Sequence, residues 1–345
     1  MVRYTGLEAV LGLYEETTYG ANSGTPLEYP DFTGGMESLD AVKEILNPEF
    51  LTAQGKRLGD VNVLGESVSG GITLTPRWNG KTWWMILSHL CGEYSTKASG
   101  SGTAKTHTMQ FGEAINQSAQ PETYAIGAVV DRGRTTGAVR YRGLKPLSSE
   151  LSWNYNQAMT MSTDFVGAGA SPASALTHSE ASNNPLIVSP NTTTGTNFLR
   201  FGGSHYVVES ASIRFERPRV PVLDVTSTEA LAQQIDGQAM VTGSFETYAL
   251  DETSSAFDTF TTAYRAQSGN ALILYADGND GTNACKLTIT VPKCVITANP
   301  QAHVDGANVQ KVTVEWEAMI DAGSTDYLAN LVLENSNDLD KGFRA

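Results

Sequence analysis

The chain is short of charge, of basic charge above all, and of cysteine. Charged residues make up 17% of its 345 positions, and 23 basic residues face 37 acidic ones, a formal net charge of −14. A protein that grips nucleic acid through its phosphates carries a basic excess, so this balance argues against sequence-specific DNA binding. The same excess serves plain solubility equally well. Three cysteines, Cys91, Cys285 and Cys294, leave at least one thiol unpaired. None has zinc-ligand spacing or a CxxC partner, which points to buried free thiols made in a reducing cytoplasm. No apolar run approaches bilayer-spanning length. In the N-terminal MVRYTGLEAVLGLYEE, Glu8, Glu15 and Glu16 break up the apolar run, so neither a membrane anchor nor a cleavable signal is expected.

Reactive constellations are missing too. There is no GxSxG elbow, HExxH, GxxxxGK[ST] or strand-to-helix GxGxxG, and His89, His107, His178, His205 and His303 are scattered. His89 reads as a structural histidine beside a helical apolar stripe. The DGNDG run (Asp277, Asn279, Asp280) lacks the ligand spacing and closing Glu of a calcium loop and reads as a hairpin turn. Glu315 and Glu317 flank Trp316 on one strand face, whereas a glycosidase pair faces across a cleft. No catalytic, cofactor-binding or metal-binding residue is nominated, and the chain is not expected to be an enzyme.

What is present is alternation. The run GQAMVTGSFETYAL precedes a helical SSAFDTFTTAYRAQSG, followed by LILYADG, KLTITVPKCVIT and KVTVEWEAMID. In that helix Ser254 or Ser255 serves as N-cap, Phe257, Phe260 and Tyr264 form one face, and Gly269 ends it. A weaker copy lies upstream: GGITLTPRW, the helical TWWMILSHLCG, then TYAIGAVVD, LKPLSSELSWNY and AMTMSTDFVGA. Gly71 aligns with Gly243, Pro146 with Pro292, and Thr160, Ser162 and Asp164 with Thr313, Glu315 and Glu317. The length suggests about two domains, and the repeated strand–helix–strand order suggests duplication. The expected architecture is mainly β: two tandem sandwich- or barrel-type units, residues 1–197 and 198–345, each with a short packed helix.

Other segments read less regularly. SLDAVKEILNPEF suggests a turn or two of helix stopped by Pro48, and residues 61–78 suggest a strand pair. KASGSGTAKTHT reads as an exposed polar loop, and the small, polar stretch 165–197 as a linker or an arm laid on a neighbour. Pro218 and Pro221 argue against a central strand there, and TSTEALAQQIDG reads as a short helix or loop.

Taken together, these motifs carry a family resemblance. They comprise Glu16, Tyr19 and Gly20 as E-x-x-Y-G, the KEILNP segment, G-x-I-T-L, a short helix ending at Gly92, and the C-terminal series VTGSFETY, LILYADG, ITVPKCVI and KVTVEWEAMID. The chain resembles the tail tube proteins of long-tailed bacteriophages. That resemblance implies strands joined between subunits into a barrel, rings stacked into a tube in the virion tail, other tail proteins as partners, and assembly in the host cytoplasm. Double-stranded DNA would pass through without specific binding. Two tube units per chain imply trimeric, pseudo-hexameric rings, with hexameric rings as the alternative. A lumen that DNA does not stick to needs hydroxyls and carboxylates. The candidates are Thr73, Thr75, Thr160, Ser162 and Asp164 in the first copy, and Thr242, Ser244, Glu246, Thr313, Glu315 and Glu317 in the second. Ile72, Leu74, Phe165, Phe245, Val312, Val314 and Trp316 should pack against the helices. Competing readings are another virion part (terminator, distal-tail or decoration protein) or a carbohydrate-binding sandwich with Trp78, Trp83, Trp84, Trp153 or Trp316 as an exposed platform.

Overall fold

A computed structural model describes residues 9–16, 18–21, 24–30, 32–46, 62–98, 105–112, 125–131, 137–176, 185–188, 198–222, 232–235, 237–248, 256–279, 283–300, 302–303, 311–320 and 327–336. The chain opens with β1 (Val10–Glu16), β2 (Phe32–Glu37), β3 (Asp40–Leu46), β4 (Asn62–Leu74) and helix α1 (Lys81–Cys91). Next come β5 (Gly92–Ala98), β6 (Lys105–Phe111), β7 (Ala125–Asp131), β8 (Ala138–Asn154), β9 (Thr160–Gly167) and β10 (Gly169–Ala173). Past the arm lie β11 (Leu199–Phe201), β12 (Ser204–Tyr206), β13 (Val208–Glu216), β14 (Arg219–Val222), β15 (Ala232–Ile235), β16 (Met240–Tyr248) and helix α2 (Ala256–Ala266). The chain closes with β17 (Asn270–Asn279), β18 (Ala284–Ile296), β19 (Ala302–His303), β20 (Lys311–Ala318) and β21 (Ala329–Asn335). The fold is mainly β, and 19 strands join one antiparallel network, with β14 and β15 paired apart.

Eight strands run side by side through this network in the order β2, β4, β9, β8, β13, β16, β20 and β18. Strands β8 and β18 each change partners along their length. The first half of β8 lies between β7 and β10 and its second half between β9 and β13. Likewise Lys286–Thr290 of β18 lies between β17 and β21, while Cys294–Ile296 lies beside β20. Pro146 and Pro292 sit at these switches, where the ladder is interrupted and a missing N–H matters least. The pairings β4–β9, β9–β8 and β8–β7 recur in order as β16–β20, β20–β18 and β18–β17. Asp164 faces Gly71 and Glu317 faces Thr242. Matching those two acids therefore pairs Gly71 with Thr242 rather than Gly243.

The apolar side of the sheet is sealed. Ile72, Leu74, Phe165, Phe245, Val312, Val314 and Trp316 are all buried, as alternation requires of a sheet with one covered face. Helix α1 packs on β8, β5, β6 and β1 and is buried on every side from Thr82 to Cys91. Helix α2 inserts Phe260 among the rings of Phe201, Tyr206 and Phe245.

Distant side chains hold the ends of α1. Glu28 accepts hydrogen bonds from Lys81 N (2.7 Å), Thr82 N (3.1 Å) and Thr82 Oγ1 (3.2 Å), an acidic cap on the positive end of the helix dipole. Arg217 serves the other end, donating to the carbonyls of Leu90 (3.0 Å) and Gly112 (2.7 Å). Glu28→Ala is expected to lower unfolding stability by about 1–2 kcal/mol in chemical denaturation. An unchanged midpoint would show the cap to be dispensable.

The lead-in is pinned by Glu16, whose buried carboxylate accepts from Gly20 N (2.9 Å) and Gly143 N (3.1 Å). Gly143 has φ 65°, and a Cβ there would come within 2.9 Å of both Ala168 and the Tyr19 ring, so glycine is required. Burial outweighs these bonds and nearby Arg142, pushing the Glu16 pKa from 4.5 up to about 7. An acid raised on folding contributes stability that is complete below its unfolded pKa and lost as pH rises through its folded one. Thermal stability is expected to fall between about pH 4.5 and pH 7 on this account. Glu16→Gln should flatten that decline, and an identical profile would contradict the assignment.

Several segments depart from their sequence reading. Asp40–Leu46 of SLDAVKEIL is strand, not helix, because the backbone of β4 pairs with it from Asn62 to Ser69. Helix propensity is a weak prior against such a ladder. Pro48 lies outside the described residues. Residues 62–74 form one long strand rather than a pair; within it Gly70 has φ 134°, and a Cβ there would meet the Ser38 carbonyl at 2.2 Å. Lys105–Thr108 of the supposed polar loop begins β6, with His107 buried and bonded to Asn335 (3.1 Å). Ala232–Ile235 of TSTEALAQQIDG is strand, paired with β14. In α2 the left-handed residue after the helix is Gln267 (φ 49°), ahead of Gly269; Ser254, Ser255 and the Phe257 side chain lie outside the described residues. Within the arm, β10 pairs with β8, and Leu186 and Val188 bridge to Arg77 and Ala158 of the same chain. The DGNDG run does close a hairpin, Asn279 opposite Ala284, with Asp280 outside the described residues.

Candidate functional site

The uncovered face of the eight-strand run forms a lateral grid of polar side chains. One row passes from Thr73 through Ser162, Glu150, Arg214 and Thr242 to Glu317, each residue opposite the next. The neighbouring row holds Thr160, Ser152, Ser212, Ser244 and Glu315. On the other side of the first row, Gly71, Asp164, Ser148 and Glu216 line up. Alternation along each strand keeps every member on the side away from the core.

Within each row, hydroxyls tie neighbouring strands together. Thr73 Oγ1 lies 3.2 Å from Ser162 Oγ, Ser152 Oγ 2.7 Å from Thr160 Oγ1, and Ser212 Oγ 3.2 Å from Ser244 Oγ. Ser148 donates to Asp164 at 2.9 Å. Such pairs satisfy hydroxyl groups within the sheet and stiffen its surface. Six carboxylates, on Glu150, Asp164, Glu216, Glu246, Glu315 and Glu317, stand on this face with Arg214 and Lys311. Arg214 reaches Glu216 (3.4 Å) and Asp164 (3.9 Å). Lys311 binds Glu209 and lies 3.8 Å from Glu246. The hydrogen bond from Lys311 lowers the Glu209 pKa, and the same bond raises that of Lys311. Both cations are thus occupied by carboxylates of their own chain, and acidic groups predominate on the face.

All eleven nominated residues fall on or beside this grid. Ser162, Asp164, Thr313 and Glu315 are exposed, and Thr73, Thr160, Thr242, Ser244, Glu246 and Glu317 are partly so. Thr75 stands just past the end of β4 and has no ladder partner there. The nomination missed the middle of the grid: Ser148, Glu150 and Ser152 on β8, and Ser210, Ser212, Arg214 and Glu216 on β13. Their signal was present in the alternation of LSSELSWN and ESASIRFE, whose inward partners Leu151, Trp153, Ile213 and Phe215 are buried.

A family model for phage tail tube proteins matches residues 6–318 of the chain. The chain belongs to the phage tail tube protein family. A comparison with curated proteins gives no significant match. A tail tube protein is a structural component of the virion tail, and the features around the grid suit that role. All five tryptophans are 2% exposed or less, so none offers a platform for sugar. His89, nominated as structural, is buried with Nε2 3.0 Å from Glu15. No helix among the described residues is long and apolar enough to cross a membrane.

Proposed function

We propose that this tail tube protein assembles into trimeric, pseudo-hexameric rings that stack into a tube, with the polar grid lining the bore through which the genome passes. The observation that carries this reading is the eight-strand run with one sealed apolar face and one open, mainly acidic face. Two units, residues 1–197 and 198–345, supply four strands each; the recurring pairing order supports their origin as a duplication. Three such chains give about 24 strands. At ~4.8 Å spacing and a tilt near 40°, these close at a backbone diameter of roughly 48 Å, wide enough for duplex DNA inside the side chains.

The bore works by not binding. Carboxylates repel phosphate, hydroxyls present neutral surface, and Arg214 and Lys311 are engaged by their own acids, so the passing duplex meets few cations to exchange for its counterions. Assembly takes place in the host cytoplasm on this reading, and other tail proteins terminate the stack. Negative-stain microscopy of the purified protein tests it: rings or tubes are expected, and monomers at every salt concentration would contradict it.

A further inference from the structure

One junction inside the chain offers a template for a contact between chains. Strands β8 and β13 belong to different halves, yet they pair over seven residues, with Ser148 opposite Glu216 and Glu150 opposite Arg214. In the first half β2 and Asp40 take the place that β13 holds in the second. Glu216 faces Met240, two residues before Thr242, and Asp40 faces Ser69, two residues before Gly71. At the far end of the run, Val295 takes the place of Ser148. Ser148 faces Asp164, and Val295 faces Glu317.

Among the described residues, β2 pairs only with β4; on β18, Cys294 meets both Asn270 of β17 and Ala318 of β20, and beyond it Val295 and Ile296 pair with β20 alone. Around these two edges Ser38, Asp40 and Thr297 are exposed and Val295 is partly so. An open edge of this kind is a template for strand addition. The chain also supplies a matched partner for each edge, since the two edges are the displaced counterparts of an antiparallel junction already formed within it.

Resting on the ring reading above, we infer that the Val295–Thr297 edge of one chain pairs antiparallel with the Ser38–Asp40 edge of a second copy. Val295 then stands opposite Asp40 and Thr297 opposite Ser38, repeating the β8–β13 register. This head-to-tail contact leaves each chain one donor and one acceptor edge, so it closes a ring without free edges.

Disulfide trapping in assembled full-length protein tests the register. Residues opposite each other lie within the Cα separation a disulfide allows, and a two-residue slip puts them beyond it. Oxidised Asp40→Cys/Val295→Cys protein should run as covalent dimers and trimers on a denaturing gel, ending at the ring size. Val42→Cys/Val295→Cys should stay monomeric, and so should either single variant, since the native cysteines are buried. Tubes that form without Asp40–Val295 trapping, or that trap both pairs equally, overturn this inference and leave the ring proposal standing. Hydrogen exchange on the unmodified chain reads the same contact if a variant fails to assemble. Slowing at 38–40 and 294–297 on assembly supports the pairing, and no change at either edge overturns it. Failure of the unmodified chain to form any ring defeats the proposed function instead.

Discussion

Replacing Arg217 with alanine is expected to lower unfolding stability by about 3–5 kcal/mol, the largest loss from any single residue considered. The side chain is 1% exposed and lies in the second half of the sequence, yet its donors end on Leu90 and Gly112 of the first. Its guanidinium also sits 5.0 Å from the centre of the Phe111 ring. Truncation strands buried carbonyls at the negative end of α1, removes the cation from the helix dipole and opens a cavity against Phe111. Arg217→Lys should recover only part of the loss, because a single ammonium replaces a planar fork of donors. Urea denaturation of both variants measures this. A midpoint for Arg217→Ala within error of the parent would show that the two halves do not depend on this tie.

The second large effect concerns transport rather than stability. Glu315 is exposed and Glu317 partly exposed on β20, with Trp316 buried between them. Changing both acids to lysine leaves the core untouched, so tubes should still assemble. Every chain, however, then offers two new cations to the phosphates in the bore. Duplex DNA is expected to be retained by assembled tubes at low salt and released steeply as salt rises, the signature of counterion exchange. A phage carrying both substitutions should form tails yet lose about an order of magnitude or more in infectivity. Glu315→Gln/Glu317→Gln, which removes repulsion without adding attraction, should do less. Full infectivity of the lysine variant, with tubes that do not hold DNA, would remove the electrostatic part of the account.

Much of this was legible in the sequence, and the gaps have physical causes. Strands β16, β17, β18 and β20 announce themselves because each buries one face and wets the other, which writes a period of two into the residues. The helix TWWMILSHLC is equally clear, although only the fold shows that it is buried all round. Asp40–Leu46 reads as helix in the sequence because Ala, Lys, Glu and Leu favour helix in isolation, and the decisive partner, Asn62–Ser69, lies some twenty residues away. The middle of the polar grid was passed over for another reason. Ser148, Glu150 and Ser152 look like ordinary solvent-facing residues until β13 brings Arg214 and Ser212 beside them. Glu28 and Arg217 carried no local signal at all, since a cap supplied from a distant segment exists only once the chain has folded.

The central claim is that the eight-strand run continues into neighbouring copies with its polar face inward. A three-dimensional electron-microscopic reconstruction of the assembled protein measures this directly. The account predicts a closed barrel built from three chains, with Ser162, Glu150, Arg214, Thr242 and Glu317 on the bore and α1 and α2 on the outside. A ring whose bore is lined by another surface, or whose sheets stop at each chain's edge, would contradict it.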